Sequence, residues 1–265
     1  MNYKPTEEQE RIFLFTKKRP ENILIKAYAG AGKTTTIIEA VKLLPKDKSI
    51  MFLAFNKHIQ EELKTKLPEY VRCYTTYGLG TSAIKRKYGD KIEFDEFKAD
   101  KIILKKSKGW DLHDEFKNEE EIGFYLENIK KLVNLCRLTL RVKPEFVQHI
   151  SKRYDIKISK PKDIKRALKV LDEMTNDRSS FDYTDMIYLP AIDNSIWMFP
   201  QDYVFVDEVQ DLNRCQIKII EKVLKRDKAS GKYTGRLICV GDFFQGIYGF
   251  NAADENSFEW FEKFP

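Results

Sequence analysis

Two clusters of residues combine types and spacing suited to chemistry. The first is Ala27-Tyr28-Ala29-Gly30-Ala31-Gly32-Lys33-Thr34-Thr35-Thr36, small residues closed by a lysine and a run of threonines. Small side chains let consecutive backbone N–H groups turn inward around a polyphosphate, at the positive end of the following helix. The run fits the phosphate-loop pattern, except that Ala27 stands where its first glycine would be. Lys33 can supply a mobile positive charge near the outer phosphates, and the Thr34 hydroxyl can ligate Mg²⁺. The plainer alternative is a glycine-rich turn capping an ordinary helix. The second cluster is Val204-Phe205-Val206-Asp207-Glu208, a hydrophobic run ending in paired acids. At the carboxyl edge of a parallel sheet, where ligand crevices lie, Asp207 is suited to holding Mg²⁺ through water. Glu208 is suited to orienting and polarising an attacking water. Alone, such a pair is usually a solvated strand end; with the loop upstream, the two clusters read together as a nucleotide site. No GxGxxG occurs, which disfavours a dinucleotide oxidoreductase.

Elements of the right kind flank both clusters. Pro5 to Phe15 reads as a helix start, with Thr6 as cap and Gln9 three residues on completing a capping box. Residues 23–28, 49–55, 71–75, 203–208 and 236–242 read as short buried strands, and amphipathic segments follow most of them. Strand–turn–helix units at this spacing predict an α/β fold with a mostly parallel sheet covered on both faces. Residues 94–175 instead have helical periodicity, clearest in GFYLENIKKLVNLCRL and PKDIKRALKVLDEM, and predict a mainly helical subdomain interrupting that sheet.

At 265 residues and 42% hydrophobic, the chain can bury a substantial core, and global disorder is disfavoured. It has no apolar run long enough for a membrane span, and its polar N-terminus does not resemble a signal peptide. An intracellular setting, cytoplasmic or nucleoid-associated, is expected, with no membrane partner. Cys73, Cys136, Cys215 and Cys239 are widely separated and read as buried free thiols; His58, His113 and His149 read as surface or helix residues. The net charge of +6 is unevenly spread, strongly basic from Lys130 to Val170 and acidic from Ser107 to Asn128. The basic block suits a polyanion, although lysine-rich helices are often simply solvated. Lys162, Lys165, Arg166 and Lys169 recur at helical spacing and are open to either reading. Phe243 and Phe244, directly after a strand, read as core.

With both clusters placed, the sequence resembles the first motor domain of a superfamily 1 helicase of the UvrD/Rep type. Pro5-Thr6-Glu7-Glu8-Gln9 resembles the Q motif, which implies that Gln9 recognises adenine. AYAGAGKTTT resembles motif I, implying an ATP site formed by Ala29, Gly30, Ala31, Gly32, Lys33, Thr34 and Thr35. Leu53-Ala54-Phe55-Asn56-Lys57 resembles motif Ia, so Phe55, Asn56 and Lys57 would line a single-strand path. Thr75-Thr76-Tyr77-Gly78-Leu79-Gly80 looks like the T-F-H-S-F-G segment, adding Thr75 and Tyr77 to it. DEVQD at 207–211 resembles motif II, and Phe181-Asp182-Tyr183-Thr184-Asp185-Met186-Ile187 the stretch before it. Val240 to Phe250 resembles motif III. In that match Gln245 senses the γ-phosphate, and Tyr248 and Phe250 stack on bases.

The resemblance implies a P-loop NTPase with a RecA-like sheet. Residues 1–90 and 176–265 would form domain 1A, and 91–175 a helical 1B-like insertion. It implies ATP and Mg²⁺ as cofactors, Lys33, Asp207, Glu208 and Gln245 as catalytic residues, and Thr34 and Asp207 as metal ligands. The expected partners are single-stranded DNA and duplex junctions, with translocation 3′ to 5′. Two positions depart from the pattern: Tyr77 replaces a usual histidine, and Asn251-Ala252-Ala253 replaces Arg-Gly-Ala. Both bear on DNA contacts and neither on hydrolysis. Because the sequence stops just after motif III, a fragment of a longer protein with a second motor domain is expected, the alternative being a naturally reduced ATPase that borrows its second half. The alternatives are a non-unwinding DNA-dependent ATPase that remodels or strips protein–DNA complexes, and a nucleotide-gated DNA-binding module.

Overall fold

The computed structural model describes residues 4–28, 30–158, 160–242, 244, 252–253 and 257–264. The chain divides into two compact units, one of residues 1–79, 198–212 and 216–265, the other of 80–197 and 213–215.

In the first unit, five short and mostly apolar segments become strands: β1 (Ile23–Lys26), β2 (Ile50–Ala54), β3 (Val71–Thr75), β4 (Tyr203–Val206) and β5 (Arg236–Gly241), of which β1 is only half-buried and β3 carries the exposed Arg72. Among the described residues they pair in parallel in the order β1-β5-β4-β2-β3. Every residue of β2 and β5 is buried, as expected of strands covered on both faces. The register sets Lys26 beside Gly241, Val206 beside Cys239 and Leu53, and Ala54 beside Thr75. All five strands therefore end at one edge, and the segments that follow them emerge together.

Helix α1 (Glu7–Lys18) begins with the expected capping box: Gln9 N–H donates to Thr6 Oγ1 at 3.3 Å, and Thr6 N–H to Gln9 Oε1 at 3.0 Å. Its other end is fixed by Arg236, whose guanidinium donates to the carbonyls of Phe15 (3.0 Å), Thr16 (2.5 Å) and Glu21 (2.5 Å). A cation is favourable at a helix C-terminus, where carbonyls lack partners. Helix α2 (Lys33–Lys42) buries Ile37, Ile38, Ala40 and Val41 in a core with Phe52, Phe205, Ile238 and Val240. Phe52 and Phe205, on neighbouring strands, stack with ring centroids 6.2 Å apart and planes 8° from parallel. Helix α3 (Lys57–Lys66) adds Leu63 to the same core, and α4 (Thr76–Tyr88) follows β3.

The second unit is mainly helical, with α5 (Lys98–Ser107), α6 (Leu112–Glu115), α7 (Glu119–Thr139), α8 (Pro144–Arg153), α9 (Pro161–Asn176) and α10 (Asp185–Ile192). Pro144 and Pro161 open their helices, at the position where a missing N–H costs nothing. The long α7 packs on α5, α8 and α9. It buries Ile129, Leu132, Val133 and Cys136, while α9 buries Ala167, Val170, Leu171 and Met174. Helix α11 (Arg214–Val223) precedes β5, and α12 (Ser257–Lys263) comes last. All four cysteines are free and buried, as their spacing suggested. No helix among the described residues is long and apolar enough to cross a membrane.

Two polar clusters hold the helical unit. Arg137 of α7, fully buried, donates to both oxygens of Asp182 (2.7 and 2.9 Å) and to Asp185 (2.5 Å), with its guanidinium 5.3 Å above the Tyr188 ring. Lys98 of α5, also buried, reaches the other oxygen of Asp185 at 2.9 Å. Burial alone would raise the Asp182 carboxyl; the hydrogen bonds and charge of Arg137 overcome it and hold the group below its ordinary value.

The second cluster corrects the basic face. Arg166 faces neither phosphate nor open solvent, because its guanidinium donates to both oxygens of Glu115 (3.1 and 2.7 Å), to the Tyr125 hydroxyl (3.1 Å) and to the Trp110 carbonyl (2.5 Å). Lys162 reaches Glu115 at 2.7 Å. These partners, Arg166 first, bring the Glu115 carboxyl down to about 2. Lys165 and Lys169 stay exposed.

Candidate active site

The shared sheet edge assembles the first chemical cluster around β1. The chain leaves β1 through Tyr28, and Gly30 and Gly32 adopt left-handed φ of 75° and 74°. A side chain would be strained at either position. The turn closes through Ala31 N–H donating to the Tyr28 carbonyl (3.2 Å), and Gly32 is the N-cap of α2. Left-handed glycines ahead of a helix N-terminus direct backbone N–H groups into one concavity, a geometry suited to an anion. Thr34 is half-buried, Thr35 exposed and Thr36 buried. Ala29 lies outside the described residues.

The second cluster arrives from β4, two strands away. Lys33 Nζ lies 3.2 Å from Glu208 Oε2, joining the loop to the paired acids across the sheet edge. Glu208 has φ of 51°, unusual for a residue with a side chain, and its N–H donates to Asp207 Oδ1 at 3.0 Å. Strain of this kind persists where the surroundings fix it. Asp207 is 3% exposed. Burial first, and then the neighbouring Glu208 charge, raise its carboxyl to about 6. The Lys33 charge offsets only part of that rise, and a divalent ion there would add counter-charge. Thr34 lies in the first turn of α2, directly after the loop, and the chemistry of these residues fits a phosphate chain carrying a divalent cation.

Gln9 joins this site in a way the sequence only half anticipated. Its Oε1 accepts from Thr6, and its Nε2 donates to Thr36 Oγ1 at 2.9 Å. Thr36 also donates to the Gly32 carbonyl at 2.9 Å. Helix α1 is thus tied directly to α2. Thr36 was missed in the sequence because nothing in a threonine run says which hydroxyl meets a distant amide. Gln210 was missed for the same reason: it donates to Glu208 Oε2 (2.6 Å) and accepts from Asp242 N–H (3.1 Å).

The residues assigned to a DNA path follow β2 and β3, at the opposite end of the strand order from β1. Phe55 is half-buried, and Asn56 and Lys57 are exposed. Asn56 caps α3, its Oδ1 accepting from Ile59 N–H at 2.9 Å. Thr75 and Tyr77 are half-buried, and Thr75 Oγ1 accepts from Gly78 N–H at 3.0 Å. Gln245, Tyr248 and Phe250 lie outside the described residues, as does Phe243. Phe244 departs from expectation. It is 74% exposed and stacks on Tyr28, itself 68% exposed, with centroids 5.5 Å apart. Asp242 Oδ1 accepts from Phe244 N–H (3.0 Å), a turn that lifts the residue off the sheet edge and away from the core.

Comparisons with known proteins agree with this geometry. The chain is 27% identical over 272 residues to the F-box DNA helicase protein 1 of Schizosaccharomyces pombe, an alignment covering 96% of this chain and 29% of that protein. It is 28% identical over 269 residues to the F-box DNA helicase 1 of Gallus gallus, covering 94% of this chain and 24% of that one. The chain thus spans under a third of the length of these curated relatives. The UvrD/REP helicase N-terminal domain family matches residues 6–265, almost the whole chain. A parallel α/β sheet with a helical unit set into its sequence, a glycine loop facing paired acids, and this match together place the chain in the UvrD/REP helicase N-terminal domain family.

Proposed function

We propose that this chain is an ATP-binding motor domain that holds ATP·Mg²⁺ on the loop 27–36. Together with a second motor domain it hydrolyses ATP to drive movement along single-stranded DNA, 3′ to 5′, with unwinding of duplex junctions, while alone it hydrolyses ATP weakly or not at all. The observation that carries the proposal is the 3.2 Å pairing of Lys33 with Glu208, which brings the loop lysine and the strand-end acid into one site. In this reading the N–H groups around Gly30 to Thr34 hold the phosphates, and Thr35 stands beside them. Lys33 is drawn from Glu208 toward the outer phosphate. That exchange frees the Glu208 carboxylate to accept a proton from the attacking water. Mg²⁺, held by the Thr34 hydroxyl and Asp207, would neutralise charge on the phosphates when bound. Gln9 places its amide at the entrance of the loop, where an adenine can be read. Gln245 would report the outer phosphate to the DNA path, and Tyr248, Phe250, Phe55, Asn56, Lys57, Thr75 and Tyr77 would hold the strand. The cations that complete the site would come from a second motor domain.

The test is strand displacement by the protein at its full length, on duplexes with a 3′ or a 5′ single-stranded tail. ATP·Mg²⁺-dependent release from the 3′-tailed duplex is expected, with little from the 5′-tailed one. Release from the 5′-tailed duplex alone would refute the polarity. ATP hydrolysis stimulated by single strands, with release from neither duplex, would refute unwinding.

A further inference from the structure

The first turns of α7 line an open groove of about 450 Å³ on the helical unit. Its apolar surface is rigid. Tyr125 is 5% exposed, and its hydroxyl donates to Asp163 Oδ1 (2.9 Å) and accepts from Arg166 (3.1 Å), so the ring cannot turn away. Phe116 packs against it with ring centroids 4.9 Å apart. Phe124, one turn of α7 before Asn128, lines the same groove and is 61% exposed. Asn128 accepts from Lys157 N–H at 3.3 Å, which ties the segment after α8 to α7 and closes the groove on that side. A single exposed phenylalanine is ordinary. Phe124 instead continues an aromatic surface that is already in place, and an apolar group laid there would take that surface out of water.

The charges around the groove select what can enter it. Glu120 and Glu121 line it and are exposed, while Lys157 is turned onto Asp155 at 2.6 Å. The stretch 107–128 carries seven Asp or Glu against two Lys, in a chain whose net charge is +6. Acids in the first turn of α7 suit its helix end, but these two also border apolar surface. Nucleic-acid phosphates and anionic lipids are repelled by such a rim, whereas Lys or Arg beside an apolar side chain is attracted. The same cations are repelled by the basic remainder of the chain. We propose that this groove docks a segment of a partner protein carrying a large apolar or aromatic side chain flanked by Lys or Arg. The anchor lies on Phe116, Phe124 and Tyr125, and the flanking cations meet Glu120 and Glu121. Nothing in this proposal depends on the ATP-hydrolysing reading above.

The test is fluorescence anisotropy of the fluorescein-labelled peptide Lys-Arg-Trp-Leu-Lys-Arg, titrated with this chain and with the protein at its full length. Expected is a dissociation constant of about 10–100 μM that rises with salt. Phe124→Ser should weaken binding about tenfold or more, and Glu120→Lys about threefold or more with a flatter salt dependence. Both residues are exposed, so both variants should melt as wild type does. Should F124S melt early, E120K carries the test by itself. The peptides Glu-Glu-Trp-Leu-Glu-Glu and Lys-Arg-Ser-Ser-Lys-Arg should each bind at least about tenfold more weakly, since one lacks the cations and the other the anchor. No anisotropy change, equal binding of the acidic peptide, or binding untouched in both folded variants would overturn the proposal. Three further results would overturn it by naming another occupant. Displacement of the peptide by oligo(dT), lost in F124S, would make the groove a nucleic-acid site. Self-association in sedimentation velocity, abolished by F124S, would assign it to a second copy. Binding by this chain but not by the full-length protein would assign it to an intramolecular contact.

Discussion

In the protein at its full length, with the second motor domain present, Glu208→Gln is expected to bind ATP·Mg²⁺ nearly as wild type does, while hydrolysing it about 10²–10⁴-fold more slowly. The substitution is close to isosteric, and the amide oxygen can still accept from Lys33 and Gln210, the two donors that meet Glu208 Oε2 at 3.2 and 2.6 Å. The left-handed backbone at residue 208 is unchanged by it. What disappears is the ability to accept a proton from water. Binding and turnover therefore separate, which distinguishes a base from a residue that merely shapes the loop. Rapid-quench measurement of the chemical step, beside calorimetry of ATP·Mg²⁺ binding, reads both quantities. A hydrolysis rate within threefold of wild type would remove Glu208 from the chemistry.

Arg137→Met should destabilise the protein by about 3–5 kcal/mol, the range for breaking a buried ion pair by removing one partner. Arg137 and Asp185 are fully buried and Asp182 is 6% exposed, so water cannot replace the lost guanidinium. Lys98 remains on Asp185 at 2.9 Å, but Asp182 loses both of its contacts to Arg137. Arg137→Lys should fall between, because an ammonium cannot form the paired bonds to Asp182 and also reach Asp185. Urea unfolding followed by circular dichroism measures the loss. Adding Asp182→Asn to Arg137→Met should recover part of it, by removing the charge left without its partner. A loss under about 1 kcal/mol for Arg137→Met would mean that the network contributes little.

This network shows where sequence reading reaches its limit. Strands such as β2 were legible because they are apolar runs whose burial depends only on being in the sheet; 49–55 contains β2, all of it buried. The capping box was legible because its partners lie three residues apart. Lys33, Asp207 and Glu208 could be singled out because their types at a strand end imply convergence at one edge, and the geometry brings them together. The partners of long polar side chains were not legible. Arg166 meets Glu115, 51 residues away, and Gln210 meets Asp242, 32 residues away; such pairings follow from how helices and strands are stacked, which no local pattern encodes. Phe244 was misread for a related reason. A residue just after a buried strand is core only if the chain continues straight, and the Asp242 side chain turns it outward. Asn56 was assigned to a DNA path, and the structure adds a second task, capping α3, that would persist without any nucleic acid.

The central claim is that the loop 27–36 holds the triphosphate of ATP with Lys33 as its charged contact. Titration calorimetry of ATP·Mg²⁺ into the wild-type chain and Lys33→Ala, with adenosine as a control ligand, tests it most directly. Lys33 forms a charge-assisted contact worth about 1.5–3 kcal/mol, so ATP·Mg²⁺ affinity should fall roughly 10- to 100-fold. Adenosine binding should barely change, because it carries no phosphate for Lys33 to meet. Equal ATP·Mg²⁺ affinities for wild type and K33A would contradict the account.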